Sequence, residues 1–265
     1  VVVPRLPERR DEIGLLARAI SDMTEALRQR IDAVESFAAD VAHEIKNPLT
    51  SLRSALESTE RVTDPDLRRQ LLAIASHDVQ RIDRLVTEIA DASRIDAELS
   101  RTTFEPVDMV QLVLALVAAR ESRGVNAGNR IEVTHRGAGT CIVPGDPARL
   151  ERVLENLLDN AISFSPSPAT IEIDIACEGQ GDGGRVAITV SDHGPGIPAD
   201  AREKVFERFH SLRPVGEDFG SHSGLGLAIA RTIVEAHYGT LVAGARTDGQ
   251  PGARLAIELP AWEGL

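Results

Sequence analysis

Asp192-His193-Gly194-Pro195-Gly196 is the stretch of sequence from which the fold can be worked out. It places one aspartate ahead of two glycines at alternate positions. An aspartate carboxylate can accept a hydrogen bond from an exocyclic amine such as that of adenine. Glycine lets a backbone approach a ligand closely. Alone, the stretch could be a simple turn, so its surroundings decide what it means.

A pair of asparagines and a pair of glycines flank this stretch. Asn156 and Asn160 precede it, and Gly224 and Gly226 follow it. Asparagine carbonyl oxygens are hard ligands that suit Mg2+. The asparagine pair alone would be explained more simply as part of a solvated helix face. The ordered combination predicts an ATP site, although not of the Walker type, because the GxxxxGK[ST] pattern is absent.

The asparagines are predicted to lie on a helix over residues 147–164. Asp146 should cap this helix, with Pro147 at its first position. Asn156 and Asn160 are one turn apart and stack at the edge of the apolar face. They can therefore point into a cleft while the helix packs on a sheet. The apolar face consists of Leu150, Val153, Leu154, Leu157, Leu158, Ala161 and Ile162.

Strand and helix patterns alternate through the C-terminal part of the chain, which predicts an α/β sandwich. The predicted helices are 107–121, 147–164, 199–206 and 225–236. The predicted strands are 130–135, 170–177, 185–191 and 253–259. A hairpin turn is expected at 179–184 and a mobile lid at 211–223.

The N-terminal part carries two narrow apolar stripes at helical spacing, separated by Thr63-Asp64-Pro65. This pattern predicts an antiparallel helical hairpin, which a homodimeric four-helix bundle would bury. The first stripe is Leu27, Ile31, Val34, Ala38, Val41, Ile45, Leu52 and Leu56. The second is Leu67, Leu71, Ile74, Ala75, Ile82, Leu85 and Ile89. A linker is expected over about residues 96 to 105.

His43 is predicted to lie on the outer face of the first helix, opposite its apolar seam. Asn47 and Thr50 share that face, and Glu44 is adjacent. An exposed imidazole beside a carboxylate is poised as a nucleophile, because Glu44 can orient it or accept its proton. Pro48 is expected to bend the helix just afterwards. A lone surface histidine would usually have no function; this one precedes a predicted ATP-binding domain.

Composition narrows the choice of partners. The chain has 265 residues and a net charge of −12, which disfavours nucleic acid and anionic lipid as direct partners. No apolar stretch approaches the ~20 residues that span a bilayer. The chain begins at Val1 rather than Met, so we expect any membrane segments to lie outside this sequence.

The cysteines and histidines give little indication of a metal centre. Cys141 and Cys177 form no CxxC motif, which favours a reducing compartment. His77, His135 and His237 have no clustered ligand partner in the sequence, so no structural zinc site is expected.

The motifs, taken in order, resemble those of sensor histidine kinases. Five segments match the sequence motifs of this family that are called the H, N, G1, F and G2 boxes. In that order they are His43-Glu-Ile-Lys-Asn-Pro-Leu, Asn156–Asn160, Asp192–Gly196, Val205-Phe-Glu-Arg-Phe209 and Gly224-Leu-Gly-Leu227. Residues 11–14 and the stripe after them resemble the second helix of a HAMP signalling linker. Residues 216–240 resemble the ChvG-like branch of these kinases. The resemblance runs from about residue 8 to residue 260.

The resemblance implies three parts. Residues 1–30 would end a HAMP-like linker, residues 31–97 would form the dimerisation and histidine-phosphotransfer hairpin, and residues 104–262 would form a Bergerat-type ATP-binding domain. The fold class is then a dimeric antiparallel helical hairpin followed by an α/β sandwich. The chain would be the cytoplasmic portion of an inner-membrane sensor.

The resemblance also implies roles for named residues. His43 would take the γ-phosphoryl group of ATP and pass it to an aspartate of a response regulator receiver domain. Glu44 would act as base, and Asn47 would assist phosphotransfer or dephosphorylation of the regulator. The implied nucleotide contacts are Asn156 and Asn160 on Mg2+, Asp192 with Gly194 and Gly196 at the adenine, Phe164 beside the nucleotide, Arg208 on the γ-phosphate, and Gly224, Leu225 and Gly226 near the phosphates.

The sequence departs from the family pattern in two places, and two alternative functions stay open. Ser163 stands where Lys or Arg is common, and His210 where an aromatic is common; His210 and His222 are expected in solvated loop.

An ATP-driven clamp, as in topoisomerases and chaperones, would need a general-base glutamate at position 156, where Asn stands. An ATP-binding scaffold or a phosphatase-dominant homologue would bind nucleotide without phosphorylating His43.

Overall fold

The computed structural model describes residues 11–98, 104–137, 141–178, 183–210 and 224–262. The chain divides into two compact units, Val1–Ile82 and Asp83–Leu265. No helix among the described residues combines the length and the apolar composition needed to cross a bilayer.

Two long helices make up the N-terminal part, as predicted. Helix α1 is Glu12–Arg61, and the carboxylate of Asp11 caps its start by accepting from Gly14 N at 3.0 Å. Helix α2 is Pro65–Glu98, and Asp64 Oδ1 accepts from Asp66 N at 2.9 Å. The predicted break at 63–65 is therefore confirmed. Helix α2 continues three residues into the expected linker, and α1 continues through Pro48.

Much of the apolar seam of α1 is solvent-exposed in the single chain. Ala55, Ala75 and Leu85 are buried. By contrast Leu27 is 58% exposed and Val34 59% exposed. An apolar stripe of this kind is typical of helices that pack against another chain. The homodimer stays a prediction that this exposure supports.

The C-terminal part is an α/β sandwich built on a five-stranded sheet. Its elements are β1 (Glu105–Asp108), α3 (Met109–Arg123), β2 (Arg130–Arg136), β3 (Ile142–Gly145), α4 (Pro147–Phe164), β4 (Thr170–Glu178), β5 (Arg185–Ser191), two 3-10 helices (Ala199–Ala201 and Lys204–Phe206), α5 (Gly226–Ala236), β6 (Thr240–Ala245) and β7 (Ala253–Pro260). The large sheet has the order β2-β4-β5-β7-β6, and β1 and β3 form a separate pair. Strands β2 and β4 are parallel, whereas the other neighbours in the large sheet are antiparallel.

The core lies between helices and one face of the large sheet. Helix α4 buries Leu150, Leu154, Leu157 and Leu158, the residues of its predicted apolar face. Alternate residues of β4, namely Ile171, Ile173 and Ile175, are fully or almost fully buried. A strand with this alternation presents one face to the helices. Asn156 and Asn160 are half-buried, as expected for the edge of the helix face.

Three local predictions had different outcomes, and three strands were missed. Segment 199–206 was expected to be one helix but forms two 3-10 turns, closed by bonds such as Phe206 N to Glu203 O at 3.2 Å. So short a segment has too few backbone bonds to sustain an α-helix. Strands β1, β3 and β6 were not predicted. The expected hairpin joins β4 and β5, which are antiparallel neighbours, although residues 179–182 of its turn lie outside the described residues. The expected lid at 211–223 also lies outside them.

Candidate nucleotide and phospho-acceptor sites

Asp192 follows the last residue of β5 and is only 3% exposed. Its Oδ1 accepts from Gly194 N at 2.8 Å and from Ala253 N at 2.9 Å. Burial raises the pKa of Asp192, and these two backbone bonds oppose that rise. Both bonds go to Oδ1, so Oδ2 is the oxygen that can accept a hydrogen bond from a ligand.

The two glycines after Asp192 are required by close backbone packing. A Cβ at Gly194 would lie 2.7 Å from the carbonyl oxygen of Phe164, at the end of α4. Gly196 has φ of +80°, and a Cβ there would lie 3.0 Å from the carbonyl oxygen of Gly252. His193 N donates to Ser165 Oγ at 3.2 Å. The loop is therefore packed between the end of α4 and the loop before β7.

Helix α4 begins and runs as predicted, and it brings an amide to the start of α5. Asp146 Oδ1 accepts from Ala148 N at 3.0 Å, which fixes the first turn. Asn156 Nδ2 is buried and has no hydrogen-bond partner among the described residues. A Cβ on Gly226 would lie 3.6 Å from Asn156 Oδ1. An unpartnered buried amide beside a glycine is typical of a site that a polar ligand completes.

The start of α5 is the third part of the candidate site. Leu225 is buried at the N-cap position, and no side chain caps the helix within the described part of the chain. Backbone N–H groups at a helix start favour phosphate oxygens. Gly224 has φ of +74°, and a Cβ there would lie 2.8 Å from Phe209 Cα. Phe209 N donates to Gly224 O at 3.0 Å, so the F and G2 boxes are joined.

The other sequence-predicted residues lie on or directly after the elements that carry these parts. Phe164 and Ser163 are half-buried in the last turn of α4, and Arg208 is exposed after the second 3-10 helix. The expectation of a solvated loop is wrong for His210, which is half-buried with Nε2 buried and unpartnered among the described residues. The reason is its close packing: residues 209 and 210 lie against Gly224. His222 lies outside the described residues.

Arg246 supports the site and was missed from the sequence. Its side chain is 4% exposed and donates to the carbonyl oxygen of Asp192 at 3.2 Å. It also pairs with Glu172 at 2.9 Å and with Asp248 at 2.6 Å. These carboxylates raise the pKa of Arg246, while Arg246 lowers the pKa of Asp248 to about 2. The only local signal was Asp248-Gly249, a turn dipeptide that marks the loop but not its role.

His237 links the end of α5 to the start of α4 and is fully buried. Its Nε2 accepts from Asp146 N at 3.1 Å, so Nδ1 carries the proton and donates to Ile233 O at 2.7 Å. Its ring stacks on Phe104 with centroids 4.7 Å apart. Burial lowers the pKa of His237. It is a neutral structural histidine.

The second candidate site lies on the helical hairpin. His43 and Asn47 are exposed on α1, as the predicted outer face requires. Glu44 is half-buried, and its Oε2 accepts from Nη2 of Arg81, on α2, at 3.2 Å. The carboxylate next to His43 is thus held in place by a cation from the other helix.

Two expectations about the cysteines and histidines are corrected. Cys141 and Cys177 are bonded to each other, with Cα atoms 5.5 Å apart, rather than being two separate thiols. His135 Nε2 lies 3.4 Å from Cys141 Sγ, so His135 does have clustered partners. The sequence could not show this, because His135 and Cys177 come together through the pairing of β2 with β4, and the contacts of Cys141 with them are tertiary.

Comparisons with known proteins agree with these two sites. The family described as "His Kinase A (phospho-acceptor) domain" matches residues 33–98, which include His43. The family described as "Histidine kinase-, DNA gyrase B-, and HSP90-like ATPase" matches residues 145–263. This second range holds Asn156, Asp192 and Gly226.

The similarity to individual proteins agrees with these family matches. Sensor protein ChvG of Rhizobium meliloti (strain 1021) is 43% identical over 268 residues, which cover 98% of this chain and 46% of that protein. Sensor protein ChvG of Agrobacterium fabrum (strain C58 / ATCC 33970) is 44% identical over 269 residues, 98% of this chain and 45% of that protein. The histidine kinase ThkA, solved in complex with the response regulator protein TrrA, has a TM-score of 0.65 at 24% identity, covering 89% of this chain and 64% of that chain.

The chain belongs to the sensor histidine kinases. Within that family it is similar to the ChvG sensors, in agreement with the predicted branch. It spans less than half the length of those ChvG proteins. At 24% identity, the similarity to ThkA supports the fold alone.

Proposed function

We propose that this chain carries out the phosphoryl-transfer chemistry of a two-component sensor. His43 takes the γ-phosphoryl group of ATP and passes it to an aspartate of a response regulator receiver domain. The observation that carries the proposal is the exposed His43 beside Glu44, a carboxylate fixed by Arg81 at 3.2 Å. The match of residues 33–98 to a phospho-acceptor family supports it.

The nucleotide site fits ATP through three features of the second unit. Asp192 presents Oδ2 as an acceptor for the adenine amine, and Gly194 and Gly196 keep its loop close to the backbone around it. The backbone N–H groups at the start of α5 suit the phosphates. Asn156 supplies a buried amide that has no partner among the described residues. We further propose that Phe164, Arg208, Gly224 and Leu225 line this site, as their box positions predict.

Asn156 and Asn160 are the residues that would hold Mg2+ against the phosphates. Their amide oxygens are hard ligands, and both side chains are half-buried one turn apart on α4. When bound, Mg2+ would neutralise negative charge on the phosphate oxygens. Ser163 offers no cation to that charge.

On the hairpin, a ring nitrogen of His43 forms a bond to the γ-phosphorus while the bond to the β-γ bridging oxygen of ATP breaks, releasing ADP. Glu44 accepts the imidazole proton that the new N–P bond displaces. Arg81 keeps Glu44 in position for that step. Phosphoryl transfer then regenerates His43 as an aspartate carboxylate of the regulator takes the group. Asn47, exposed one turn along α1, acts in this step or in dephosphorylating the regulator.

We also propose the wider assembly that the resemblance implies. The chain works as a homodimer through the exposed apolar stripe of α1, and residues 1–30, 31–97 and 104–262 form the linker, hairpin and ATP-binding parts. A response regulator in the ThkA complex supports the same kind of partner here. The whole protein would be an inner-membrane sensor with this part in the cytoplasm.

The test is phosphorylation with Mg2+ and γ-labelled ATP, using the chain beside His43→Gln and a control, His77→Gln, on exposed α2 surface. We expect acid-labile, alkali-stable label in the chain and in the control, and none in His43→Gln. Label that survives in His43→Gln would overturn the assignment. Bound ATP without label in the unmodified chain would favour the scaffold or phosphatase-dominant alternative.

A further inference from the structure

His135, Cys141 and Cys177 form a cluster of three metal-ligating side chains in the second unit, away from the candidate nucleotide site. His135 Nε2 lies 3.4 Å from Cys141 Sγ and 3.8 Å from Cys177 Sγ. All three ligand atoms lie within 4.8 Å of one another. Cys141 is buried, Cys177 half-buried and His135 exposed. The cluster is thus held by the fold and open to solvent on one side.

Backbone contacts hold these residues in addition to the disulfide. Strands β2 and β4 are parallel, with His135 beside Ile175, and His135 and Cys177 share the strand face that carries Ile131 and Ile175. A Cβ at Gly137 would lie 3.1 Å from the carbonyl oxygen of Cys177, so the chain after β2 crosses close to β4. Cys141 O accepts from Met109 N at 2.9 Å, which anchors the third ligand to the start of α3.

The distances suit a tetrahedral ion. With Zn–S of about 2.3 Å and Zn–N of about 2.0–2.1 Å, tetrahedral angles put nitrogen and sulfur ligands about 3.6 Å apart. The two observed nitrogen-to-sulfur distances, 3.4 and 3.8 Å, lie on either side of that value. Two thiolates on one ion would stand about 3.8 Å apart. Cα atoms 5.5 Å apart allow that separation through side-chain rotation alone.

We propose that the reduced protein binds Zn2+ through His135 Nε2, Cys141 Sγ and Cys177 Sγ, with water in the fourth position. A dithiol reductant transfers two electrons and two protons to the Cys141–Cys177 disulfide, giving two protein thiols, and is itself oxidised to a disulfide. Zn2+ then displaces those protons as the thiolates coordinate. The disulfide and the zinc site are mutually exclusive states of one pair of cysteines.

The ligand set decides which ion binds. Thiolate and imidazole ligands favour Zn2+ over hard cations such as Mg2+, which prefer oxygen. A disulfide needs no histidine, so His135 is the residue that distinguishes a metal site from a simple cross-link.

The cluster is separate from the nucleotide site. Along the β4–β5 pair, Glu172 lies opposite Ser191, next to Asp192, whereas Cys177 lies opposite Val186. At about 3.3 Å per residue, the cysteine end is about 17 Å along β4 from the nucleotide end. This inference therefore does not rest on the proposed function.

The experiment is a Co2+ and Zn2+ titration of the full chain after reduction, removal of the reductant by gel filtration, and exclusion of air. We expect one equivalent of Co2+ to give a thiolate-to-metal charge-transfer band that Zn2+ abolishes and Mg2+ does not. Chain left in the disulfide form should give no band. His135→Ala should bind Zn2+ at least tenfold more weakly in competition with a chromophoric chelator, and His77→Ala should match the unmodified chain.

Three outcomes would overturn the proposal: no Co2+ uptake by reduced protein, a Co2+ spectrum without thiolate bands, or unchanged affinity in His135→Ala. The circular dichroism spectrum and the urea unfolding midpoint of each sample show whether the second unit is folded. Co2+ binding can also be compared between the oxidised and reduced forms of the unmodified chain, without any substitution. This comparison still tests the proposal if a variant fails to fold.

Discussion

The guanidinium of Arg246 donates from Nη1 to the backbone carbonyl of Asp192 at 3.2 Å, joining the loop before β7 to the residue that begins the G1 loop. The same guanidinium is bonded to Glu172 and Asp248. One buried cation therefore fixes the backbone that carries the proposed adenine ligand.

Arg246→Met should weaken both folding and nucleotide binding. It leaves the Asp192 carbonyl and two carboxylates without their donor, which should cost about 1–3 kcal/mol of the unfolding free energy. Urea unfolding and calorimetric titration with an ATP analogue measure the two effects. Arg185→Met is the matched control, because Arg185 is exposed in a 3.7 Å pair with Glu258 and should change little. Equal effects in the two variants would contradict the proposed support role.

Gly252→Ala should be far more damaging than Gly249→Ala. Both glycines have positive φ, +140° and +75°, so each alanine carries backbone strain. A Cβ at Gly252 would also overlap the carbonyl oxygen of Asp192, whereas nothing lies within 4 Å at Gly249. We expect about 1–2 kcal/mol for Gly249→Ala and more than about 3 kcal/mol for Gly252→Ala. Denaturant midpoints of the two variants compare them directly.

Asp192→Asn should reduce ATP affinity at least tenfold while keeping the shape of the loop. Asparagine Oδ1 can still accept from Gly194 and Ala253, but its amide nitrogen presents a donor where the adenine amine needs an acceptor. Calorimetry at neutral pH measures the loss. The control is Asp200→Asn, at an exposed position of a 3-10 helix, which should bind like the unmodified chain.

Nucleotide affinity should also depend on pH through Asp192. Burial raises its pKa above its ordinary value. Since Oδ1 already accepts two backbone hydrogen bonds, a proton adds to Oδ2 and removes the acceptor offered to adenine. ATP affinity should fall as pH falls through that raised pKa, and the fall should be absent in Asp192→Asn. Parallel pH profiles in the two proteins would contradict this assignment.

His237 should make folding stability depend on pH. Burial lowers its folded-state pKa, so below the ordinary value of about 6.5 the unfolded chain takes up a proton that the folded chain does not. The unfolding free energy should therefore fall as pH drops below about 6.5, by at most about 1.4 kcal/mol per pH unit. The stability that neutral His237 contributes is fully present above that pH. His237→Gln should lose the dependence, and His77→Gln should keep it, in urea titrations across the range.

Arg81→Met should slow autophosphorylation without weakening ATP binding. The substitution frees Glu44 from its 3.2 Å contact but leaves the nucleotide site, in the other unit, untouched. We expect an initial rate of His43 labelling about tenfold to a hundredfold lower, with partial recovery in Arg81→Lys. Arg53→Met, which breaks an exposed pair with Glu57, serves as control. A loss of ATP affinity in Arg81→Met would instead indicate a structural defect.

The parts of the fold that could be predicted are those whose signals are local. Helix α4 begins at Pro147 and ends at Phe164 as predicted, because Asp146 and Pro147 mark its start and the apolar period runs to its end. The sequence boxes also singled out Asp192, Asn156 and Gly226, whose roles in nucleotide binding stay a prediction. Strands β1 and β3 were missed because each has only four residues and pairs with the other across α3 and β2.

The remaining features depend on contacts between distant segments. Arg246 reaches Asp192 and Glu172, residues 54 and 74 positions away, so no local pattern reveals its role. The cysteine pair is separated by 36 positions and was interpreted from the absence of CxxC, a local test that cannot detect a tertiary contact. His237 was recognised only as a histidine without clustered ligands, because its partners are backbone groups.

The hydrogen bonds of Asp192 Oδ1 belong to the sheet and to the candidate site at once, so the native fold and the ligand-ready site form together. A nucleotide that binds only the native state must then stabilise it by mass action, by about 2.7 kcal/mol at a free concentration one hundred times its dissociation constant. The melting temperature should rise with nucleotide concentration. Variants damaged at Gly252 or Arg246 therefore become candidates for rescue by ligand, with ATP acting as a chemical chaperone for its own binding domain.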